Sequence, residues 1–121
     1  MQDPIIKFGE TARSELLALR AETKFVAGIF YPGAPTEALR VDAEGQINQL
    51  IDRLLSNLAS DSRKSFVMSE FRAAMERFEQ TDTEERERFC GYLEQIMDAT
   101  GIESSDGLLN SWLYGFDPNG L

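Results

Sequence analysis

The sequence predicts an all-α fold, a single small bundle of four to five helices with a helical hairpin over about residues 65–100 and a short C-terminal helix. Three separate stretches repeat apolar residues at spacings of three and four, the period that gathers side chains on one face of a helix. Each of those stretches is bounded by helix start or stop chemistry. Only one run, Phe25 to Tyr31, has the β-favouring, apolar composition of a strand, too little for a sheet.

A first helix is expected from Thr11, whose hydroxyl suits an N-cap, to about Glu22, with Ala12, Leu16, Leu17 and Leu19 on its apolar side. Phe25 to Tyr31 reads as a buried extended connection that ends in a turn at Pro32-Gly33-Ala34-Pro35. Thr36 then caps the clearest helix, in which Ile47, Leu50, Ile51, Leu54, Leu55 and Leu58 form one stripe. Gly45 within it costs about 1 kcal/mol relative to alanine, so a break or kink would fall there.

Ser60 to Lys64 is polar enough for a loop, after which Val67, Phe71, Ala74, Met75 and Phe78 repeat the helical stripe. Thr81-Asp82-Thr83-Glu84 has the form of a capping box, Thr81 capping the amide of Glu84. The next helix has Phe89, Cys90, Leu93, Ile96 and Met97 on its apolar face and Gly101 at its left-handed C-terminal position, with Ile102 folding back. The short turn from Gln80 to Thr83 implies that the helices it joins lie antiparallel as neighbours. Finally Ser104 or Ser105 caps a short helix through Trp112 or Tyr114, with Gly115 as terminator and Asp117-Pro118-Asn119-Gly120 as a closing turn.

At 121 residues the chain has the size of one domain, 1–121, that hides roughly two-thirds of its unfolded surface. Hydrophobic residues at 42% and charged residues at 27% suit a globular protein rather than a disordered one. There is no histidine, which removes the commonest general base and metal ligand and every Ser-His-Asp or Cys-His arrangement. The single Cys90 has no disulfide partner, and its place between Phe89 and Leu93 suits an inert buried thiol in a reducing compartment. Asp3 and Lys7 interrupt the N-terminus where a signal peptide needs other chemistry, and no apolar run approaches the roughly 20 residues of a membrane span. A cytoplasmic location without membrane association is expected.

The net charge is −9, and residues 81–121 carry nine acids against two bases, or −7 of it. That field repels phosphate backbones, and with Arg63-Lys64 as the sole adjacent basic pair no nucleic-acid footprint is expected. Glu84, Glu85 and Glu87 crowd the first turns of the fourth helix, where the helix dipole favours acids, and Glu94 with Asp98 forms an i, i+4 carboxylate pair suited to a hard cation. The plainer reading is a solvated acidic face without a metal, since no calcium loop of the EF-hand pattern accompanies it. Ser104-Ser105-Asp106-Gly107 has hydroxyls and amides suited to an anion or a nucleophile, but no base is near in sequence and capping is the simpler role. Trp112 at helical spacing from Leu108 and Leu109 reads as core, whereas Tyr31, Tyr114 and Phe116 are candidates for an aromatic binding edge.

The Tyr31-Pro32-Gly33 turn before the Thr36 cap, together with the ending Gly101-Ile102-Glu103-Ser104-Ser105-Asp106-Gly107-Leu108-Leu109-Asn110 and Trp112-Leu113-Tyr114-Gly115-Phe116, resembles a family of short, mostly helical bacterial proteins of unknown function. The resemblance implies a small helical domain and brings no activity, cofactor or catalytic residue with it. The expectation is a non-enzymatic protein-binding domain whose acidic surface, from Glu84, Glu85, Glu87, Glu94 and Asp98, with Tyr31, Tyr114 and Phe116 beside it, meets a basic protein partner, as an immunity-type neutraliser of a toxin or enzyme would. The alternatives are a homodimeric or larger helical scaffold, or regulatory protein, and, more distantly, a metal-dependent hydrolase using the same carboxylates.

Overall fold

A computed structural model describes residues 3–29, 31–78 and 82–114, in which five helices follow in order: α1 (Glu10–Ala21), α2 (Glu37–Asn57), α3 (Lys64–Arg77), α4 (Thr83–Thr100) and α5 (Leu108–Tyr114). Among the described residues the only β-type pairing is an isolated bridge between Ile5 and Arg63, so the architecture is an all-α bundle. Helix α2, about 31 Å long at 1.5 Å per residue, is the central element, lying against α1, α3 and α4. Helix α4 in turn lies against α1 and α5. The predicted stripes form the core: Ile47, Leu50, Ile51 and Leu54 of α2 meet Leu16 and Leu19 of α1, Val67, Phe71 and Ala74 of α3, and Phe89, Leu93 and Ile96 of α4.

Helix α2 runs unbroken through Gly45, with Thr36 Oγ1 accepting from the Leu39 amide at 3.1 Å as its N-cap. A Cβ at Gly45 would have no neighbour within 4 Å. Gly45→Ala should therefore stabilise the protein by about 0.5–1 kcal/mol by restricting the unfolded chain at no steric cost. A rise of a few degrees in thermal midpoint would register it, and an unchanged or lower midpoint would contradict it.

Several local expectations are corrected. Helix α1 begins before Thr11, with Gly9 at its N-cap position and Arg13 N bonded to Gly9 O at 3.0 Å. The approach is fixed by tertiary bonds to the preceding segment, Ile6 N to Ser62 O and Lys7 N to Thr100 O, so the Thr11 hydroxyl is not needed. Leu17, expected on the apolar side of α1, is 48% exposed. Asp82 is the N-cap of α4, its Oδ1 accepting from Glu84 N at 2.9 Å; Thr81, expected to cap that amide, lies outside the described residues. The two arms of the expected hairpin meet through Phe78 and Phe89, whose ring centroids are 4.4 Å apart, yet the closest helical neighbour of α3 is α2. Gly101 does end α4 in the left-handed region, at φ 71° and ψ 23°, with Ile102 N bonded back to Met97 O at 2.9 Å. A side chain at Gly101 would also press on the Lys7 methylenes at 3.1 Å, so the tertiary contact reinforces the requirement for glycine.

Long-range polar contacts tie the helices together. Helix α3 has no side-chain cap of its own; Asp3 supplies one from the other end of the sequence, accepting from Ser65 N at 2.9 Å and from Ser65 Oγ at 2.7 Å. Arg20 with Asp52 links α1 to α2, Lys64 with Asp106 links α3 to the turn before α5, and a bidentate Arg53–Glu70 pair links α2 to α3. Hydrogen bonds from Arg53 hold the buried Glu70 carboxyl below its ordinary value of 4.5, against the opposing effect of burial. Between that lowered value and 4.5 the unfolded chain binds more protons, so the Glu70 contribution is present above about pH 4.5 and is lost as pH falls through the folded value. Urea midpoints measured at about pH 6 and about pH 3 should fall further in the wild type than in Glu70→Gln. Equal declines would show that this pair plays no part in acid unfolding.

Candidate functional site: the loop against α4

Two rows of α4 have opposite fates. Glu85, Phe89, Tyr92, Leu93 and Ile96 face inward, while Glu84, Glu87, Glu94 and Asp98 are exposed. Those four acids fall at spacings of three, seven and four, and Gly91 completes the row at its centre, so all five positions lie along one side of the helix. Beside them runs the segment from Lys24 to Ala34, and between the two is an open cleft of about 400 Å³. Gly28, Ile29 and Tyr31 form one wall, and Glu84, Glu87, Arg88 and Gly91 form the other.

The segment is rooted by buried anchors. Lys24 is fully buried and its Nζ donates to Arg20 O at 3.2 Å and Glu22 O at 2.9 Å, capping the carbonyl end of α1. Burial pushes its amine below the ordinary lysine range, partly offset by the charges of Glu44 and Glu22. Its backbone is held by α2, with Lys24 N donating to Glu44 Oε1 at 2.8 Å and Arg40 Nη1 donating to Lys24 O at 3.1 Å. Phe25 is buried at φ 61°, a strained conformation for a bulky residue, and is fixed there by donation from its amide to Tyr92 Oη at 3.0 Å and by ring contacts to Phe78 and Tyr92.

The chain then folds back on itself through Gly28 N to Tyr31 O at 2.7 Å and Ala34 N to Phe25 O at 3.1 Å. Gly33 makes this return with φ 91°, and a Cβ there would lie 3.1 Å from the Ala27 nitrogen. The predicted buried extended connection is thus corrected: Phe25 and Tyr31 are buried, but Val26 is exposed and Ile29 is 93% exposed. These two backbone hydrogen bonds close the segment on itself, with no neighbouring strand among the described residues, and its apolar tip stands off the core. Phe30 lies outside the described residues.

Two predicted surface residues are buried instead. Tyr31 is 6% exposed and donates its phenol to Glu85 Oε2 at 2.7 Å, and Glu85 is 1% exposed. Burial and the hydrogen bond to Glu85 raise the Tyr31 pKa, so the phenol remains a donor at neutral pH. Arg88 lies beneath the loop, its guanidinium 5.2 Å from the Tyr31 ring centroid and 5.6 Å from that of Tyr92. Its Nε is shielded from water and has no hydrogen-bond acceptor. Nothing in the sequence singles out Arg88, because an arginine interspersed among acids on a helix reads as a charge partner for them.

The other candidates distribute as follows. Tyr114 is exposed at the end of α5, and Phe116, Gly115 and the turn at 117–120 lie outside the described residues. Trp112 is half-buried against Phe78 and Phe89, at 5.9 and 5.3 Å between centroids, with Arg86 over its ring at 4.1 Å. Ser105 Oγ accepts from Leu109 N in the first turn of α5 at 3.3 Å, whereas Ser104 Oγ accepts from Asp106 N at 3.0 Å, in the turn before that helix. Cys90 is buried, and burial with the Glu94 charge pushes its thiol up to about 12, which leaves little thiolate at neutral pH. Among the described residues no three His, Cys, Asp or Glu side chains converge as a metal site, Glu94 and Asp98 included. No described helix is long and apolar enough to cross a membrane.

Residues 7–117 match the sequence pattern of a family described as Domain of unknown function (DUF4844). No curated protein and no solved structure matches the chain.

Proposed function

The chain belongs to the DUF4844 family, a domain of unknown function, and from that premise we propose that it is a non-enzymatic protein-binding domain of the cytoplasm whose α4 face receives a basic partner. One observation supports this most: the exposed acids Glu84, Glu87, Glu94 and Asp98 follow one side of α4, and the outward-pointing Ile29 rims the cleft that Glu84 and Glu87 line. A row of like charges attracts an oppositely charged protein from a distance and orients it, while an apolar tip at the rim supplies area to bury once the surfaces meet. An immunity-type neutraliser of a basic toxin or enzyme is the specific form of this reading. Its carboxylates would occupy the cationic groove in which such an enzyme holds phosphates.

The test compares baits. Wild-type protein immobilised at low salt should recover a basic protein from a lysate of its own source cell, and the Glu84→Lys/Glu87→Lys variant, with its fold checked by circular dichroism, should not. Equal recovery by the two baits, or recovery of nothing basic, would overturn the proposal. The exposed Val26 and Ile29 also favour self-association as a second reading. Light scattering at high concentration decides that one, since a monomer in both wild type and Ile29→Asp removes it.

A further inference from the structure

We infer that the segment facing α4 is a hinged strap: its root at Lys24 and Phe25 stays in the core, while residues 31–34 are latched to α4 by the Tyr31–Glu85 hydrogen bond and lift as one unit ahead of global unfolding. The two limbs are held very unequally. On the outgoing limb, Lys24 has two hydrogen bonds from Nζ and two through its backbone. Phe25 adds its amide bond to Tyr92 Oη and its ring contacts with Phe78 and Tyr92. A bulky residue persists at φ 61° only where its surroundings over-determine it, so Phe25 marks a fixed point. On the return limb, among the described residues, the one hydrogen bond to α4 is the donation from the Tyr31 phenol to Glu85 Oε2. Its backbone is tied only to the outgoing limb, through Gly28 N to Tyr31 O and Ala34 N to Phe25 O.

Two polar groups beneath the return limb gain water when it lifts. Glu85 is 1% exposed, and the donor that meets its carboxyl is a neutral phenol. Arg88 Nε is enclosed without an acceptor, with the Tyr31 ring 5.2 Å from the guanidinium and Gly28 so close that a Cβ there would lie 3.9 Å from Nη2. Enclosing such groups is unfavourable, and opening the strap relieves both at once. Against this stand the buried Tyr31 ring and its hydrogen bond, so closure depends on the phenol. Without it the two backbone bonds form a lone hairpin, which is marginal in water. Lifting the limb uncovers Glu85 next to the exposed Glu84 and Glu87, so the acidic face of α4 has a covered and an uncovered form.

Native-state hydrogen exchange on the full chain, read amide by amide at low urea, tests this. Gly28 and Ala34 should share one opening equilibrium that urea barely changes. Phe25, Ile47 and Leu50 should be better protected and follow urea steeply, because they exchange through global unfolding. Val67→Ala opens a cavity against α2, about 16 Å along α3 from the Phe78 that meets Phe25. It should speed exchange at Phe25, Ile47 and Leu50 by about tenfold and leave Gly28 and Ala34 unchanged. Tyr31→Phe should speed Gly28 and Ala34 by one common factor of about ten to a hundred, and Glu85→Gln, which keeps an acceptor, by less. Protection of Gly28 and Ala34 that matches Ile47, or that falls in Val67→Ala, would mean that the strap opens only with the whole domain and would overturn the inference. A Phe25 amide as labile as that of Gly28 would remove the fixed root. Unequal factors in Tyr31→Phe, or no protection of Gly28 and Ala34 at all, would remove the latch.

Discussion

Phe89→Ala should lower the free energy of unfolding by about 3–5 kcal/mol, the range for truncating a fully buried aromatic side chain. Phe89 has no exposed surface, and its ring lies 4.4 Å from Phe78 and 5.3 Å from Trp112 between centroids. Truncation removes the transfer free energy of the ring and leaves a cavity lined by aromatic side chains that are rigid and slow to collapse. The position also joins three elements, because Phe78 ends α3, Phe89 belongs to α4 and Trp112 to α5. A domain of this size has roughly 5–15 kcal/mol in total, so this variant would sit near the edge of folding at 37 °C. Urea denaturation measures the loss directly, with an unchanged slope showing that the same surface unfolds. A loss below about 1 kcal/mol would mean that the aromatic cluster is not part of the cooperative core. Trp112→Ala should cost less, since Trp112 is only half-buried, although it also forfeits the stacked Arg86.

The helices are readable wherever local chemistry and burial agree. Ile47, Leu50, Ile51 and Leu54 face the core at the spacing that predicts α2, Thr36 caps it with its hydroxyl, and Gly101 ends α4 in the left-handed region. Departures come from contacts between residues far apart in sequence, which leave no local signal. The Asp3 cap on α3 joins positions 62 residues apart, and nothing near Lys64 announces it. The approach to α1 is set by bonds to Ser62 and Thr100, overriding the nearby Thr11. A short turn implies antiparallel neighbours for α3 and α4, but the wide apolar stripe of α2 competes for α3 and draws it closer.

The candidate site is legible in its charges and obscure in its geometry. Glu84, Glu87, Glu94 and Asp98 are exposed as expected, since their spacing keeps them off the apolar face. Glu85 shares the period of Phe89, Tyr92, Leu93 and Ile96, so its inward position follows from the same periodicity; its carboxyl makes a solvated reading the natural one. Tyr31 reads as part of an aromatic edge because the segment around it carries no polar residue to indicate what the phenol meets. Its acceptor is 54 residues away. The exposed tip at Ile29 runs against hydrophobicity altogether, and only the return bonds at Gly28 and Ala34 explain how the core is denied it.

The buried Tyr31–Glu85 pair sets the second large effect. Tyr31→Phe keeps the ring against Arg88 and removes only the donor, leaving the Glu85 carboxyl in a site that is 1% exposed. A buried acceptor of this kind that loses its donor costs the full desolvation of the group, so a loss of about 1.5–3 kcal/mol is expected from deleting one hydroxyl. Glu85→Gln should cost less, because the amide oxygen still accepts from the phenol and no charge needs solvation. Glu85→Met in turn orphans the Tyr31 hydroxyl, at about 1–3 kcal/mol. With both changes present neither polar atom is left unpaired, so Tyr31→Phe/Glu85→Met should be more stable than the sum of the single losses allows, by about 1.5–3 kcal/mol. Urea melts of the wild type and the three variants close the cycle. Additive losses would mean that the two groups are satisfied independently, by water or by other donors, and that the phenol does not hold the loop to α4. A coupling of the expected size would instead make this hydrogen bond the fastening that keeps the cleft wall in place, since Tyr31 anchors the return limb of the segment that carries Ile29.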